Sequence, residues 1–570
     1  MTYPVPRATV RIVLALIFFC FQTLGNLYAR QTATGKRGMV VSADSLASAV
    51  GIEILRKGGN AVDAGVGVGF ALAVTFPLAG NIGGGGFMVI RLADGRTTTI
   101  DFREKAPSSA RRDMYLDKRG EFVSSRSQKG PLAAGVPGSV AGLLLALDKY
   151  GSMNRAAVLE PAIELARNGF PLKNKFLARE ISANFETFRR FPASLEVFSH
   201  NQKPILLGDT LRQNDLASTL ELIKRDGGNG FYRGKVAELI MAEMERYGGI
   251  VSRGDLTDYL PVERPPVTGS YRGYDVVSMG PPSSGGVILV EMLHILEGFD
   301  LRKKGYGTVV SSSLLAETMK VAYADRAEFL GDPDFVDVPV DRLIAKDYAS
   351  VRRKKVSLRR ATPSARISSG PIPRREHIET THYSIIDRWG NCVSVTTTIN
   401  DFFGCGVMVE GAGFFLNNEM DDFSAKPGVP NQFGLVGGEA NAIEPDKRML
   451  SAMTPTIILR NNKPFMVLGT PGGSRIITTV LQIAVNVIDY GMDLQKAIDA
   501  PRLHHQWHPD SLFYERGGLP GTLKRGLSAR GYMLVELKGE YGRAEGILID
   551  RNGFYVGATD RRGNGSALGY

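Results

Sequence analysis

Two β-rich runs, Thr381 to Ile386 and Cys392 to Ile399, flank the five-residue connection Asp387-Arg388-Trp389-Gly390-Asn391. A short polar connection containing glycine, set between runs of strand-forming residues, predicts a hairpin. Pairing fixes the mate of every residue, so folding the ribbon about Trp389 brings Thr380 and Thr398 together, to within a residue of register. Two hydroxyls then meet at one end of a sheet. By itself such a ribbon reads as an ordinary exposed hairpin, because threonine is a good strand former.

The flanking sequence supplies layers. Ser45 to Lys57 and Ala61 to Thr75 carry apolar residues at helical spacing, broken by Gly58-Gly59-Asn60. Strands are expected at Phe87 to Leu92 and Thr97 to Phe102, after a tight turn at Gly83-Gly84-Gly85-Gly86. That turn lacks the Gly-Lys-Ser/Thr of a phosphate loop and the glycine spacing of a dinucleotide site. Helical and strand patterns alternate from Gly38 to Tyr348, which predicts a layered α/β region. With 570 residues, 43% hydrophobic and 22% charged, the chain can bury a large core.

Residues 1–29 read as a secretory signal. Arg7 and Arg11 precede the apolar run Ile12 to Phe21, and Leu27-Tyr28-Ala29 offers a cleavage site. The run is short for a membrane span, so no stable membrane insertion is expected after signal removal; an uncleaved anchor is the second reading. The mature chain would be periplasmic or secreted. It would keep only Cys392 and Cys405, and sequence does not decide whether they pair. The net charge of +11 raises nucleic acid or an anionic membrane as partners. Its distribution argues against both, because nine basic residues fall between Arg352 and Glu379 among Ser, Pro and Gly. Residues 351–379 therefore read as an exposed, poorly ordered segment rather than a binding patch.

Chemistry-bearing residues concentrate after Thr380. Glu419, Asp421 and Asp422 cluster in Leu416 to Ser424 without the spacing of a calcium loop. In Gly469 to Arg475 the pair Gly472-Gly473 would let two backbone N–H groups approach a reacting carbonyl with no Cβ in the way, as an oxyanion hole requires. His504, His505 and His508 lack the partners of a zinc site, so they read as structural, with no metal. Upstream, Arg103 beside Glu104 at a strand end reads as a salt-bridged residue, and Gly280 to Gly286 and Ala322 to Ala327 read as structural.

The run Glu379-Thr380-Thr381-His382-Tyr383-Ser384, with Glu419 to Lys426, Pro430 to Asn441 and Gly472 to Arg475, resembles the γ-glutamyltransferases of the N-terminal-nucleophile (Ntn) hydrolase superfamily. The resemblance covers nearly the whole chain after the signal. It implies an α+β four-layer αββα sandwich built by two chains from one precursor, 30–379 and 380–570, joined as a heterodimer. The precursor would cut itself at Glu379-Thr380. Thr380 would be the nucleophile and Thr398 would orient it. Gly472 and Gly473 would form the oxyanion hole. Arg103 and Ser451 would hold a substrate α-carboxylate, with Asn400, Glu419 and Asp422 around its α-ammonium. Phe433 would belong to a lid.

Two positions depart from the pattern. Ala452 stands where the family has a second serine, a loss of about 1.5–3 kcal/mol if nothing replaces that bond to a charged group. Thr454 is a candidate replacement. Phe433 stands where many bacterial members have Tyr, which removes a lid hydroxyl able to bond Asn400. The implied substrates are glutathione or other γ-glutamyl compounds, with water, amino acids or peptides as acceptors and no cofactor. A glutaryl- or cephalosporin-type acylase and an uncleaved secreted binding protein are the alternatives.

Overall fold

The computed structural model describes residues 32–367 and 380–570. The signal, Glu379 and the end of the basic segment lie outside the described residues. The hairpin forms, Thr381–Asp387 against Cys392–Thr398, with Thr381 opposite Thr397 and Ile386 opposite Cys392. One further step of that register sets Thr380 beside Thr398. The ribbon is not exposed, because every residue of both strands is buried.

Its burial follows from what lies on all sides. Gly38–Ser42 and Gly85–Arg91 pair with its two edges, so the hairpin is the centre of a seven-stranded antiparallel sheet. A second seven-stranded antiparallel sheet, with Lys463–Gly469 at its middle, covers the inner face. Between the sheets pack Met39, Val41, Phe87, Val89, Ile457, Val467 and Ile547. Polar groups in this layer satisfy one another: His382 bonds Thr396 Oγ1 at 2.9 Å and Ser384 Oγ at 3.0 Å. Burial lowers the His382 pKa to about 3 and keeps the ring neutral. Gly469 lies against that ring, where a Cβ would come within 2.3 Å of it.

Helices cover both outer faces. Ser45–Arg56 and Ala61–Thr75 belong to the core on the hairpin's sheet. Gly285–Glu297, Val309–Phe329 and Ile476–Ile488 belong to the core on the other. The layers are therefore αββα, as expected. The anticipated helices and strands form with ends shifted by a residue or two.

As far as it is described, the basic segment is tethered at a few points, while Lys354, Lys355, Arg359, Arg360 and Arg366 are exposed as expected. Lys346–Arg353 is a helix, and Arg352 pairs with Asp325 at 2.8 Å. Arg353 donates to the His294 and Ile295 carbonyls at 2.7 and 2.9 Å, capping the C-terminal end of Gly285–Glu297. Val356 and Ile367 are buried. Cys392 and Cys405 are free thiols, one between the sheets and one in the outer core, and burial raises both pKa values. Among the described residues no helix is long and apolar enough to cross a membrane.

The glycine turn secures the hairpin's open end. Asn81 Oδ1 accepts from the Gly84 N–H at 2.9 Å, and the Gly84 carbonyl accepts from the Gly138 and Ser139 amides at 2.8 and 2.9 Å. A Cβ on Gly84 would come within 2.1 Å of the Thr398 carbonyl oxygen. Gly84→Ala is therefore expected to destabilise the protein by about 1–3 kcal/mol, read as a lowered melting temperature. An unchanged melting curve would show that the turn tolerates the methyl.

Candidate active site

Thr380 and Thr398 are both buried at the hairpin's open end. Thr398 Oγ1 accepts from the Asn400 N–H at 2.8 Å, and the Thr398 carbonyl accepts from Asn81 Nδ2 at 2.9 Å. The chain then turns sharply, with Asn400 at φ 69°, a left-handed conformation that asparagine tolerates. Asn400 Nδ2 donates to the Asn418 carbonyl at 2.9 Å, which draws the acidic turn Glu419–Asp422 to the same place. One cavity of about 310 Å³, counted with its open mouth, is lined by Thr380, Thr398, Asn400, Glu419, Asp422, Phe433, Ser451, Ala452 and Gly473, with Leu435, Leu450, Met453 and Ile476.

Arg103 lies behind the acidic wall and not in the lining. Its guanidinium is fully buried and bonds Glu419 Oε1, Asp422 Oδ2 at 2.5 Å and the Met449 carbonyl at 3.2 Å, with Glu104 Oε2 at 3.4 Å. Burial alone would lower its pKa, but the surrounding carboxylates hold it above the usual value. Three acids around one cation leave surplus negative charge. Burial accordingly pushes Glu104 up to about 7 and Glu419 well above the carboxylate range. Glu419 Oε2 is buried without a hydrogen-bond partner among the described residues. When the carboxyl is ionised this oxygen is open to a donor, and when protonated it carries the O–H.

Ser451 and Ala452 are held by the Gly280 to Gly286 segment. Ser451 donates its amide to the Pro282 carbonyl at 2.9 Å, and its own carbonyl accepts from Ser284 N and Oγ at 2.8 and 2.6 Å. Ser283 Oγ donates to the Met453 carbonyl at 2.6 Å. Thr454 is absent from the cavity wall, and its hydroxyl donates to the Ala452 carbonyl at 2.9 Å. It does not replace the missing serine.

Gly472 (φ 147°) and Gly473 (φ 51°) occupy backbone conformations that favour glycine. They open a 3₁₀ turn, Gly473–Arg475, that runs straight into the helix Ile476–Ile488. The first amides of a helix have no intrahelical partner, so this turn offers donors at a positive helix end. Tyr323, from the Ala322 to Ala327 segment, donates its hydroxyl to the Ser474 carbonyl. Phe433 packs on Gly473, where a Cβ would come within 2.7 Å of the ring.

The histidines are engaged in local bonds. His504 Nδ1 meets Thr478 Oγ1 at 2.9 Å, and His505 Nδ1 accepts from the Trp507 N–H at 3.1 Å. Sequence reasoning missed Asn81 and Asn431. Asn431 Nδ2 donates to Asp422 Oδ1 at 3.2 Å, while its Oδ1 accepts from the Phe433 and Leu435 amides at 2.9 and 3.2 Å. An asparagine before a glycine-containing turn was the available signal.

Asp421 faces away from the cavity. It accepts from Ser127 Oγ at 2.5 Å and from the Gln432 N–H at 3.0 Å, and burial still pushes its pKa up to about 7. A carboxyl whose folded value exceeds its unfolded 3.8 contributes stability at low pH that is lost as pH rises through about 7. Asp421→Asn does not titrate. Its melting temperature relative to wild type should climb between pH 4 and 7 and level off above; a difference constant with pH would contradict the shift.

A family model described as gamma-glutamyltranspeptidase matches residues 47–570. A glutathione hydrolase proenzyme of Escherichia coli (strain K12) is 51% identical over 528 residues, 92% of this chain and 90% of that one. Another of that name, from Pseudomonas sp. (strain A14), is 46% identical over 98% of this chain and 99% of its own. Among solved structures, cephalosporin acylase from Bacillus halodurans superposes with a TM-score of 0.85 at 27% identity, covering 100% and 98% of the two chains. The sandwich is that of the Ntn hydrolases, and the chain belongs to the gamma-glutamyltranspeptidase family.

Proposed function

We propose that this protein is a γ-glutamyltransferase and glutathione hydrolase that matures by cutting its own Glu379-Thr380 bond. The observation that carries the reading is the shared cavity, in which Thr380 and Thr398 face Asn400, Glu419, Asp422, Ser451 and Gly473. Attack of the Thr380 hydroxyl on the Glu379 carbonyl, an N-to-O acyl shift and hydrolysis of the ester would free the Thr380 amine. A free α-amine titrates near 7.7–8.0, so nucleophile and general base would then sit on one residue.

In the mature enzyme Thr380 Oγ attacks the γ-amide carbon while the amine takes its proton. Thr398 orients the hydroxyl. The Gly472 and Gly473 amides receive the oxyanion. The leaving amine departs with a proton, and water or an amino acid or peptide resolves the acyl-enzyme. The substrate ammonium meets Asn400, Glu419 and Asp422, including the unpartnered Glu419 Oε2. As it takes over those carboxylates, the Arg103 guanidinium turns to the α-carboxylate beside Ser451, a bidentate match. The N-terminal signal supports export to the periplasm or medium, and the cut supports a heterodimer of 30–379 and 380–570.

Intact mass under denaturing conditions tests the reading directly. Wild type should give two fragments, the smaller beginning at Thr380 and Thr380→Ala one uncut chain. Cleaved enzyme should then release p-nitroaniline from its γ-glutamyl derivative. Wild type that stays whole would refute the mechanism, and turnover of the glutaryl derivative in preference would favour an acylase.

Ala452 supplies a second test. Ala452→Ser adds a hydroxyl beside Ser451, and one hydrogen bond to a charged group is worth about 1.5–3 kcal/mol, roughly tenfold or more in kcat/KM. The gain should appear for the γ-glutamyl anilide and vanish for the 4-aminobutyryl anilide, which lacks the α-carboxylate. Equal change for both would place the carboxylate elsewhere.

A further inference from the structure

Resting on that reading of the Thr380 site, we propose that Gln506 is a positioning residue that holds Phe433 of the lid over the Gly472-Gly473 turn, with His504 aligning its amide.

Gln506 is buried, and its two ends face different partners. Nε2 donates to the carbonyls of Phe433 and Gly434, at 3.2 and 2.9 Å. Oε1 lies 2.8 Å from His504 Nε2. An amide oxygen can only accept, so this contact requires the proton on His504 Nε2. Burial keeps His504 neutral, which leaves Nδ1 as the acceptor, and the Thr478 hydroxyl then turns its proton to Nδ1 at 2.9 Å in preference to the Arg475 carbonyl at 3.1 Å. The orientation of the amide is thereby fixed, with its two N–H groups toward the lid.

The contacts close a ring. Thr478 lies in the helix Ile476–Ile488, which continues the turn begun by Gly473. From Gly473 the path runs through that helix to Thr478, His504, Gln506 and the Phe433 carbonyl. It returns through the Phe433 ring to Gly473 itself. The lid is thus referred to the very turn whose amides face the reacting carbonyl. Two other side-chain contacts hold the lid: Asp421 accepts from the Gln432 N–H at 3.0 Å at its start, away from the cavity, and the second is different in kind. Asn431 reaches Asp422, a carboxylate that changes partners when an ammonium arrives. The Gln506 clasp touches no group that the substrate engages, so it keeps the lid in register while the Asn431 anchor exchanges.

A double-mutant cycle tests this on the cleaved enzyme with γ-glutamyl-p-nitroanilide. Losing two buried donors should let the lid lift, so Gln506→Leu is expected to raise KM about tenfold with kcat within about twofold. In a Phe433→Ala background the same change should have little further effect, because the ring that the clasp positions is gone. Limited proteolysis between residues 430 and 438 should accelerate in Gln506→Leu. If Gln506→Leu does not accumulate, Gln506→Glu, which keeps the side chain's size and removes both N–H donors to the lid, makes the same test. An equal loss in both backgrounds, or a fall in kcat that tracks a lowered melting temperature, would overturn the proposal and leave Gln506 as packing. Wild type without γ-glutamyl turnover would instead sink the proposed function.

Discussion

The site depends on the register of one hairpin. Because Thr381 pairs with Thr397, the next step sets Thr380 beside Thr398, and the same ladder fixes which residues face the second sheet. A slip of one residue would turn His382, Ser384, Ser394 and Thr396 toward the outer helices and present apolar side chains to the polar inter-sheet bonds. The interior forbids that slip, since His382 and Ser384 are matched there by Thr396 and by the Glu545 carbonyl. Burial of the ribbon on both faces is what turns a common sheet motif into a fixed pair of hydroxyls.

The functional residues sit just beyond strand ends and are held by segments that read as unremarkable in the sequence. Gly280 to Gly286 supports Ser451 through backbone bonds, Tyr323 fixes the Ser474 carbonyl, and Asn81 ties the glycine turn to Thr398. These supports are short polar side chains, bare backbone and one buried tyrosine, so the residues around the cavity hang on a frame with little rotamer freedom. Such preorganisation suits an oxyanion site, where donors must be in place before charge develops.

Much of this was legible. The hairpin and its threonine pairing follow from strand periodicity, and the helices Ser45–Arg56 and Ala61–Thr75 from apolar spacing and glycine breaks. The gathering of Thr380, Glu419, Asp422, Ser451 and Gly473 was legible only through family resemblance, because residues so far apart in sequence share no local signal. The tethering of the basic stretch at Arg352 and Arg353 was not legible. Its composition is that of a solvated tail, whereas Arg352 and Arg353 are drawn in by Asp325 and by the open carbonyls of a helix end. Tertiary partners, invisible to composition, decided it. The lid contacts were hidden for a similar reason, since Gln506 lies 72 residues from the Gly434 carbonyl it serves.

The charge balance around Arg103 bears on selectivity. Arg103 is bonded to three buried acids, Glu104, Glu419 and Asp422, with Arg326 as a second buried cation acting on Asp422, so the cluster still carries more acids than arginines and approaches neutrality by protonating a carboxyl or admitting another cation. The raised values at Glu104 and Glu419 are the first of these solutions. On the proposed reading, an arriving α-ammonium would supply the second, releasing protons as it bound. A ligand with a carboxylate alone brings more negative charge to a cluster already in excess of it, and Arg103 has no reason to leave its present partners. A zwitterion meets both demands, because its cation takes the carboxylates and thereby frees the guanidinium for its anion. On the proposed reading, the excess of acids would favour γ-glutamyl over glutaryl donors.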